Sequence, residues 1–181
     1  LSEPIEIDIE GNITDAYCVN GKLYFSYNRF DKTSVIQQLD LSKEKFGSIL
    51  NLKKEIDNFR VIPHKSQYVC FHPGKTITIA RGQQNAIDEG LSDNTTADIN
   101  IITVNPVKHF ELSPDYAFMA TISDNNIIEF WDLNDGNKIY NDVINKNDID
   151  SFILTKNIGG IFIADKEGLL RNLRLPVFDK K

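Results

Sequence analysis

Short apolar runs separated by turn-forming residues follow one another along the whole chain, and this feature restricts its fold more than any other. The runs are rich in isoleucine and end at Asn, Asp, Gly or Pro. They are typical of β-strands, whereas an amphipathic helix would repeat about every 3.6 residues. Asn20-Gly21 lies between two such runs and predicts a hairpin, because both residues tolerate positive φ. The predicted strands are 15–19, 22–27, 34–41, 60–62, 67–71, 76–80, 99–104, 108–112, 117–122, 127–133, 138–140, 151–155, 160–164 and 169–175.

Two segments depart from this pattern. Residues 42–56 contain enough Lys, Glu and Leu to suggest a helix, although 46–52 also fits a strand, which is the favoured alternative. Residues 81–98 are polar and contain few large apolar side chains. A loop of this length is usually functional or disordered, so we predict a flexible insertion here, with a partner-binding arm as the alternative.

Tight turns recur at a nearly constant interval. They occur at 20–21, 72–74, 113–115 and 156–157, which are about 53, 41 and 43 residues apart. Self-similarity near 40 to 45 residues is typical of propeller blades. The predicted units are roughly 13–58, 59–106, 107–148 and 149–181. The second unit shows one clear strand after its polar segment, so one of its four strands is missing from this interpretation. Either a strand lies within the polar segment, or the blade is irregular, or the chain is not continuous there.

The third unit resembles a WD repeat, the blade unit of one family of β-propellers. A Ser-Pro-Asp turn, a Ser-Asp-Asn-Asn turn and a Trp-Asp ending occur in the family's order and spacing across 110–136. Weaker similarity extends to 69–80 and to 152–170. The residues of this repeat signature are Ser113, Pro114, Asp115, Thr121, Asp124, Asn125, Trp131 and Asp132.

The resemblance implies an all-β chain forming part of a WD-repeat propeller. A regular repeat also carries a Gly-His pair, which is absent here, and an Asp at the position of Asn125, next to Asp124. Its His–Ser/Thr–Asp–Trp hydrogen-bond relay should therefore be partial, with Thr121 and Trp131 present. Rings in this family hold about seven blades, so four units predict a part of a larger ring, or one completed by another polypeptide.

Charge and cysteine content restrict the class of protein. A net charge of −6 and a pI near 5.1 exclude a surface that binds nucleic acid throughout. Cys18 and Cys70 are too few for a disulfide framework or a four-thiolate zinc site. No apolar run approaches the roughly 18 residues of a membrane span. We expect an intracellular protein, cytoplasmic or nuclear and not inserted in a membrane. A removed signal peptide is the alternative, since the chain begins with Leu1.

Chemical motifs are weak. Cys70 and His72 lie two apart and could supply two metal ligands, but a histidine belonging to a turn is the favoured interpretation. The sequence has no Gly-x-Ser-x-Gly elbow, phosphate-binding loop or dinucleotide fingerprint. The glycine of 132–136 comes one position too early for a calcium loop. We therefore expect a non-enzymatic protein with no metal, no cofactor and no small-molecule substrate.

Three functional hypotheses follow. The resemblance implies a protein–protein interaction scaffold within a larger multiprotein assembly, although fold alone does not give function. The second is a non-catalytic RNA-binding subunit supporting an enzyme of RNA modification or ribosome assembly. Its contacts would be Arg60, Arg81, Arg171 and Arg174, although Arg171 and Arg174 would point to opposite faces of a regular strand. The third is a propeller hydrolase with a carboxylate-lined channel, which predicts a raised carboxylate pKa.

Overall fold

A computed structural model describes residues 6–81, 97–144, 149–155 and 160–173, and β-strands dominate it. The strands form four antiparallel sheets, β1–β4, β5–β8, β9–β12 and β13–β15, in which neighbours in sequence are neighbours in space. The strands are β1 (Asn12–Val19), β2 (Lys22–Asn28), β3 (Ser34–Asp40), β4 (Lys45–Leu52), β5 (Asn58–Ile62), β6 (Gln67–Phe71), β7 (Thr76–Arg81), β8 (Ala97–Ile102), β9 (Val107–Leu112), β10 (Phe118–Ser123), β11 (Ile127–Asp132), β12 (Lys138–Val143), β13 (Ile149–Leu154), β14 (Ile161–Asp165) and β15 (Leu170–Leu173).

The predicted hairpin at Asn20-Gly21 is present. Both residues have positive φ, 52° and 72°, and the register runs from the Val19–Lys22 pair outward along β1 and β2. These backbone angles suit the right-handed twist of a two-residue hairpin. The local sequence therefore determines the start of the first sheet.

The helix considered for 42–56 is wrong, and the strand alternative is confirmed. β4 pairs antiparallel with β3 from the Ser34–Leu52 pair to the Asp40–Lys45 pair. Leu50 and Leu52 are both buried, because alternation along the strand places them on the core side of the sheet. Burial of apolar side chains thus outweighs the helix propensity of the neighbouring Lys and Glu residues.

The second sheet has four strands, so the prediction that the second unit lacks one strand is wrong. β7 ends at Arg81 and β8 begins at Ala97, and both belong to the order β5-β6-β7-β8. Both contain apolar runs that the sequence identifies as strands, but the long polar segment between them conceals that they are consecutive strands of one sheet. The insertion predicted at 81–98 lies, apart from its end residues, outside the described residues.

The chain divides into two compact units, residues 1–73 with 78–98, and residues 74–77 with 99–181. The core of the first unit includes Tyr24, Ile36, Leu50, Phe59, Val61, Tyr68 and Cys70. The core of the second includes Ala120, Ile122, Ile128, Phe130, Ile149, Phe152, Ile161 and Ile163. Burying each large apolar side chain stabilises the fold by about 1.5–3 kcal/mol.

No helix within the described ranges has the length and apolar character needed to cross a membrane.

Candidate interaction surfaces

Trp131 and Thr121 are hydrogen-bonded inside the third sheet. The indole Nε1–H on β11 donates to the Thr121 hydroxyl on β10 over 3.2 Å, and both side chains are buried. Beside them, the buried carboxylate of Glu129 accepts a hydrogen bond from Lys138 Nζ at 2.9 Å, and Lys138 Nζ lies 5.4 Å from the centre of the Trp131 ring. The hydrogen bond between Trp131 and Thr121 therefore joins the side chains of the neighbouring strands β10 and β11.

The Ser-Pro-Asp turn is stabilised by its own side chains. Ser113 Oγ donates to Asp115 Oδ1 at 2.6 Å and accepts from the Phe118 amide at 2.9 Å. The hydrogen bond from Ser113 lowers the pKa of the Asp115 carboxyl. Pro114 lies exposed at the start of the turn, and Tyr116 takes a positive φ of 57°. This part of the signature shapes the connection between β9 and β10.

The remaining signature residues also lie in turns. Asp124 and Asn125 are exposed at the tip between β10 and β11, and Asn126 behind them has a φ of 56°. Asp132 ends β11, where its Oδ1 accepts from the Asn134 amide at 2.8 Å. These three residues therefore form or begin the turns in which the chain reverses direction.

Arg60 is engaged within the first unit. Its Nη1 lies 3.1 Å from Asp15 Oδ2 and also donates to Asn58 Oδ1 and the Phe59 carbonyl. The guanidinium stands 5.4 Å from the centre of the Tyr17 ring. It therefore joins β1 to β5, and a ligand phosphate would have to compete with these internal acceptors.

The other three predicted arginines are in different situations. Arg171 Nη2 donates to the buried carboxylate of Asp165 at 3.2 Å, which joins β15 to β14. Arg81 is exposed at the end of β7. Arg174 lies outside the described residues.

Cys70 and His72 are buried in structural roles. Desolvation raises the pKa of the Cys70 thiol to about 12, so it is protonated at neutral pH. His72 Nδ1 lies 2.8 Å from the Glu55 carbonyl and Nε2 lies 2.9 Å from Thr78 Oγ1. A carbonyl only accepts, so Nδ1 carries the proton and Nε2 accepts from the threonine. Burial lowers the pKa of His72. Across the part of the chain that the structure describes, no group of three or more His, Cys, Asp or Glu residues could hold a metal.

The fourth sheet has apolar residues on both faces. Ile149, Phe152, Ile161 and Ile163 point into the core of the second unit. The opposite face, called here the outer face, carries the cross-strand pairs Ile153–Phe162 and Ala164–Leu170. Ile153 is 57% and Leu170 69% exposed. A strand that is apolar on both sides is typical of a sheet covered on both sides.

The loop between β2 and β3, residues 29–33, presents an aromatic side chain to solvent. Phe30 is 84% exposed. Sequence reasoning treated this segment only as a turn and missed Phe30, although a phenylalanine between charged residues in a polar turn is a readable signal. We call residues 29–33 the Phe30 loop.

Residues 53–57, between β4 and β5, lie beside the Phe30 loop. Asn28 Nδ2 donates to the Ile56 carbonyl at 3.0 Å, and the Ile56 amide donates to Asn28 Oδ1 at 3.1 Å. Ser34 Oγ donates to the Lys54 carbonyl at 2.8 Å. The loop and residues 53–57 therefore form one continuous end of the first unit, called here the Phe30 end.

Comparisons with known proteins support the fold. No protein-family model matches the chain, and no curated protein matches it by sequence. Among solved structures, it is similar to the crystal structure of the Cps50 (Swd1) β-propeller domain of Myceliophteria thermophila, with a TM-score of 0.67 and 10% identity. The match covers 90% of this chain and 50% of the Swd1 chain, so this chain spans about half the length of that structure. Together with the four sheets, the match confirms the predicted all-β, propeller-type fold.

Proposed function

We propose that this chain is a WD-repeat-like, non-enzymatic scaffold that works inside the cell as a subunit of a larger protein assembly. The observation that carries the proposal is the outer face of the fourth sheet. Support for the WD-repeat relationship comes from the third sheet, where Trp131 donates to Thr121 and Ser113 closes the turn before β10.

The outer face needs a protein surface against it. Phe162 and Ala164 are half-buried on it, while Ile153 and Leu170 are largely exposed. Covering the two exposed residues would contribute about 1.5–3 kcal/mol for each. The occupant we propose is a further β-sheet, because aligned sheets pack with interdigitating apolar faces, and the similar propeller chain is about twice as long.

The titratable groups favour binding over catalysis. A hydrolase would need a carboxylate with a raised pKa. Among the residues that the structure describes, the carboxylates with a shifted pKa are Asp31, Asp40, Asp115 and Asp135, and each pKa is lowered, mainly by hydrogen bonds within the residue's own turn. These groups organise loops and remain ionised at neutral pH, so none of them is a proton donor there.

The cysteines support an intracellular location. Cys18 is an exposed free thiol and Cys70 a buried one. An unpaired, accessible thiol suits a reducing compartment better than an oxidising one.

RNA binding is the weaker alternative. Arg60 and Arg171 donate to Asp15 and Asp165 of their own units. A phosphate backbone would have to compete with these carboxylates, in a chain whose net charge is −6.

The test is whether the outer face drives association. We expect wild-type residues 1–181 to self-associate with rising concentration in size-exclusion chromatography with light scattering, because the outer face of a second copy can take the place of the proposed further sheet. Ile153→Lys combined with Leu170→Lys should abolish this association while leaving the circular dichroism spectrum unchanged.

The matched control carries the same two added charges elsewhere. Ile102→Lys combined with Val143→Lys replaces residues that are 73% and 52% exposed in other sheets. A wild-type chain that stays monomeric, or equal effects of the two double variants, would refute the role of the outer face.

A further inference from the structure

We propose that the Phe30 end binds an acidic peptide segment that carries one large apolar side chain. This surface belongs to the first unit and consists of residues 29–33 and 53–57. The proposal goes beyond the scaffold function and does not depend on the outer face of the fourth sheet, whose residues all belong to the second unit.

Phe30 would be the anchor of the contact. At 84% exposure it presents most of its ring to solvent at the tip of a loop, whereas aromatic residues of this size usually contribute to a core. Aromatic side chains that become desolvated near the centre of an interface commonly dominate its binding energy. An apolar side chain of a partner, packed on this ring, would bury surface on both molecules.

The loop is already ordered, so binding has little conformational entropy to lose. The Arg29 amide donates to the Thr33 carbonyl at 2.8 Å, and the Lys32 amide donates to the Arg29 carbonyl at 3.1 Å. The amide and hydroxyl of Thr33 both donate to Asp31 Oδ1, at 3.0 and 2.6 Å. Lys32 takes a φ of 65° to close the turn. Phe30 is therefore presented by a fixed backbone.

Residues 53–57, the second segment of this surface, are fixed by hydrogen bonds to the residues that flank the Phe30 loop. Asn28 exchanges two hydrogen bonds with the backbone of Ile56, and Ser34 bonds to the Lys54 carbonyl. Behind them, His72 donates to the Glu55 carbonyl. The backbone of residues 54–56 is thus held at three consecutive positions, and the exposed side chains of Lys53 and Lys54 project from this fixed segment.

Charge selects the partner. The basic residues at this end are Arg29, Lys32, Lys53 and Lys54, and the acidic ones are Asp31, Glu55 and Asp57. The Asp31 carboxylate already accepts two hydrogen bonds from Thr33. Four basic against three acidic side chains leave this surface with one surplus positive charge, on a chain whose net charge is −6. Complementary potentials give specificity and faster association, so an acidic partner is favoured.

The same combination of an aromatic ring and basic side chains could serve single-stranded RNA, through base stacking and phosphate contacts. The acidic residues among the lysines argue against this, because a polyphosphate strand gains affinity from a continuous basic track. A peptide can place its carboxylates opposite the lysines and leave Asp57 in water. RNA is therefore the competing outcome of the test.

The experiment measures fluorescence anisotropy with a labelled peptide of Asp and Glu residues and one central Phe. A second peptide has Ser in place of that Phe. We expect the Phe peptide to bind wild-type protein at least about tenfold more tightly than the Ser peptide, since packing one large apolar side chain is worth at least about 1.4 kcal/mol. Phe30→Ser should remove this difference, and Lys53→Glu with Lys54→Glu should weaken binding of both peptides.

Matched controls separate the site from general effects. Phe46→Ser replaces another exposed phenylalanine, which lies at the opposite end of β4 from residues 53–57. Lys43→Glu with Lys45→Glu makes the same charge change near that position. Both control variants should bind the Phe peptide like wild-type protein.

Three results would overturn the proposal. The first is no saturable binding of the Phe peptide by folded wild-type protein. The second is an equal loss of binding in the Phe30→Ser and Phe46→Ser variants. The third is tighter binding of oligouridine than of the Phe peptide, lost in Phe30→Ser, which would assign the surface to RNA. Because the outer-face variants leave Phe30 unchanged, failure of this test and failure of the scaffold proposal can be told apart.

Discussion

Replacing Thr121 by Val tests the hydrogen bond inside the third sheet. Valine has nearly the same shape as threonine, so the change removes the hydroxyl without opening a cavity. It leaves the buried Trp131 Nε1–H without the acceptor that lies 3.2 Å away. An unsatisfied buried donor costs about 1–3 kcal/mol. We therefore expect the free energy of unfolding to fall by about 2 kcal/mol, which lowers the folding equilibrium constant roughly thirtyfold.

Urea denaturation followed by tryptophan fluorescence measures this loss. Trp131 is the only tryptophan in the sequence, so the signal reports the sheet that contains the mutation. With a slope of about 1–3 kcal/mol per molar urea, the midpoint should fall by about 1 M while the slope stays the same. Thr121→Ser keeps the hydroxyl and should lose only what deletion of one methyl group costs.

A double-mutant cycle identifies the source of the loss. In a Trp131→Phe background, followed by far-ultraviolet circular dichroism, the indole donor is absent and Thr121→Val should cost little. An undiminished cost in that background, or a loss below about 0.5 kcal/mol in the wild-type background, would show that the hydrogen bond does not stabilise the sheet.

Three further predictions concern buried or bonded polar groups. Burial lowers the pKa of His72 below its unfolded value of 6.5, so the unfolded chain takes up a proton that the native chain does not. The free energy of unfolding should therefore fall as the pH drops below about 6.5, by at most about 1.4 kcal/mol per pH unit. In the His72→Gln variant, the urea midpoint should lack this part of its pH dependence between pH 6.5 and 5. A thiol-reactive chromophore should label Cys18 in the native protein and Cys70 only after urea is added; rapid native labelling of both would contradict the burial of Cys70. Asn28→Ala removes both bonds to Ile56 and should lower stability by about 1–3 kcal/mol in thermal melts, whereas an unchanged melting temperature would show that residues 53–57 are held by other contacts.

Strand positions could be predicted from the sequence because their signals are local. Alternating apolar residues and the Asn20-Gly21 turn depend only on neighbours in the chain, and the structure contains that hairpin. Residues 42–56 were ambiguous because Lys and Glu favour a helix while Leu50 and Leu52 alternate as in a strand. Burial of those two leucines against the first-unit core decides for the strand, and burial depends on residues distant in sequence.

The candidate surfaces were harder to predict for the same reason. Arg60 looks like a surface cation in the sequence, yet its partner Asp15 lies 45 positions earlier. The position of Phe30 between Arg29 and Asp31 in a polar turn is a signal that the sequence offers, but the 84% exposure of its ring is set by tertiary packing. Trp131 and Thr121, by contrast, could be paired in advance through the resemblance, because their spacing corresponds to two adjacent strands joined by a short turn.

The four sheets also show why the full repeat signature can be read only in the third of the four sequence repeats. Each sheet uses a different polar contact to fasten its strands or turns: Asn28 with Ile56 at the first, His72 with Thr78 in the second, Trp131 with Thr121 in the third, and Asp165 with Arg171 in the fourth. These contacts satisfy polar groups that are at least partly buried, and the groups that make them differ: the Asn28 amide, the Trp131 indole and the Arg171 guanidinium donate, whereas the His72 imidazole accepts from Thr78. The alternation of apolar residues that builds the sheets is common to all four sheets. A blade can therefore exchange its polar contact and keep its fold, so that similarity persists in structure where little remains in sequence.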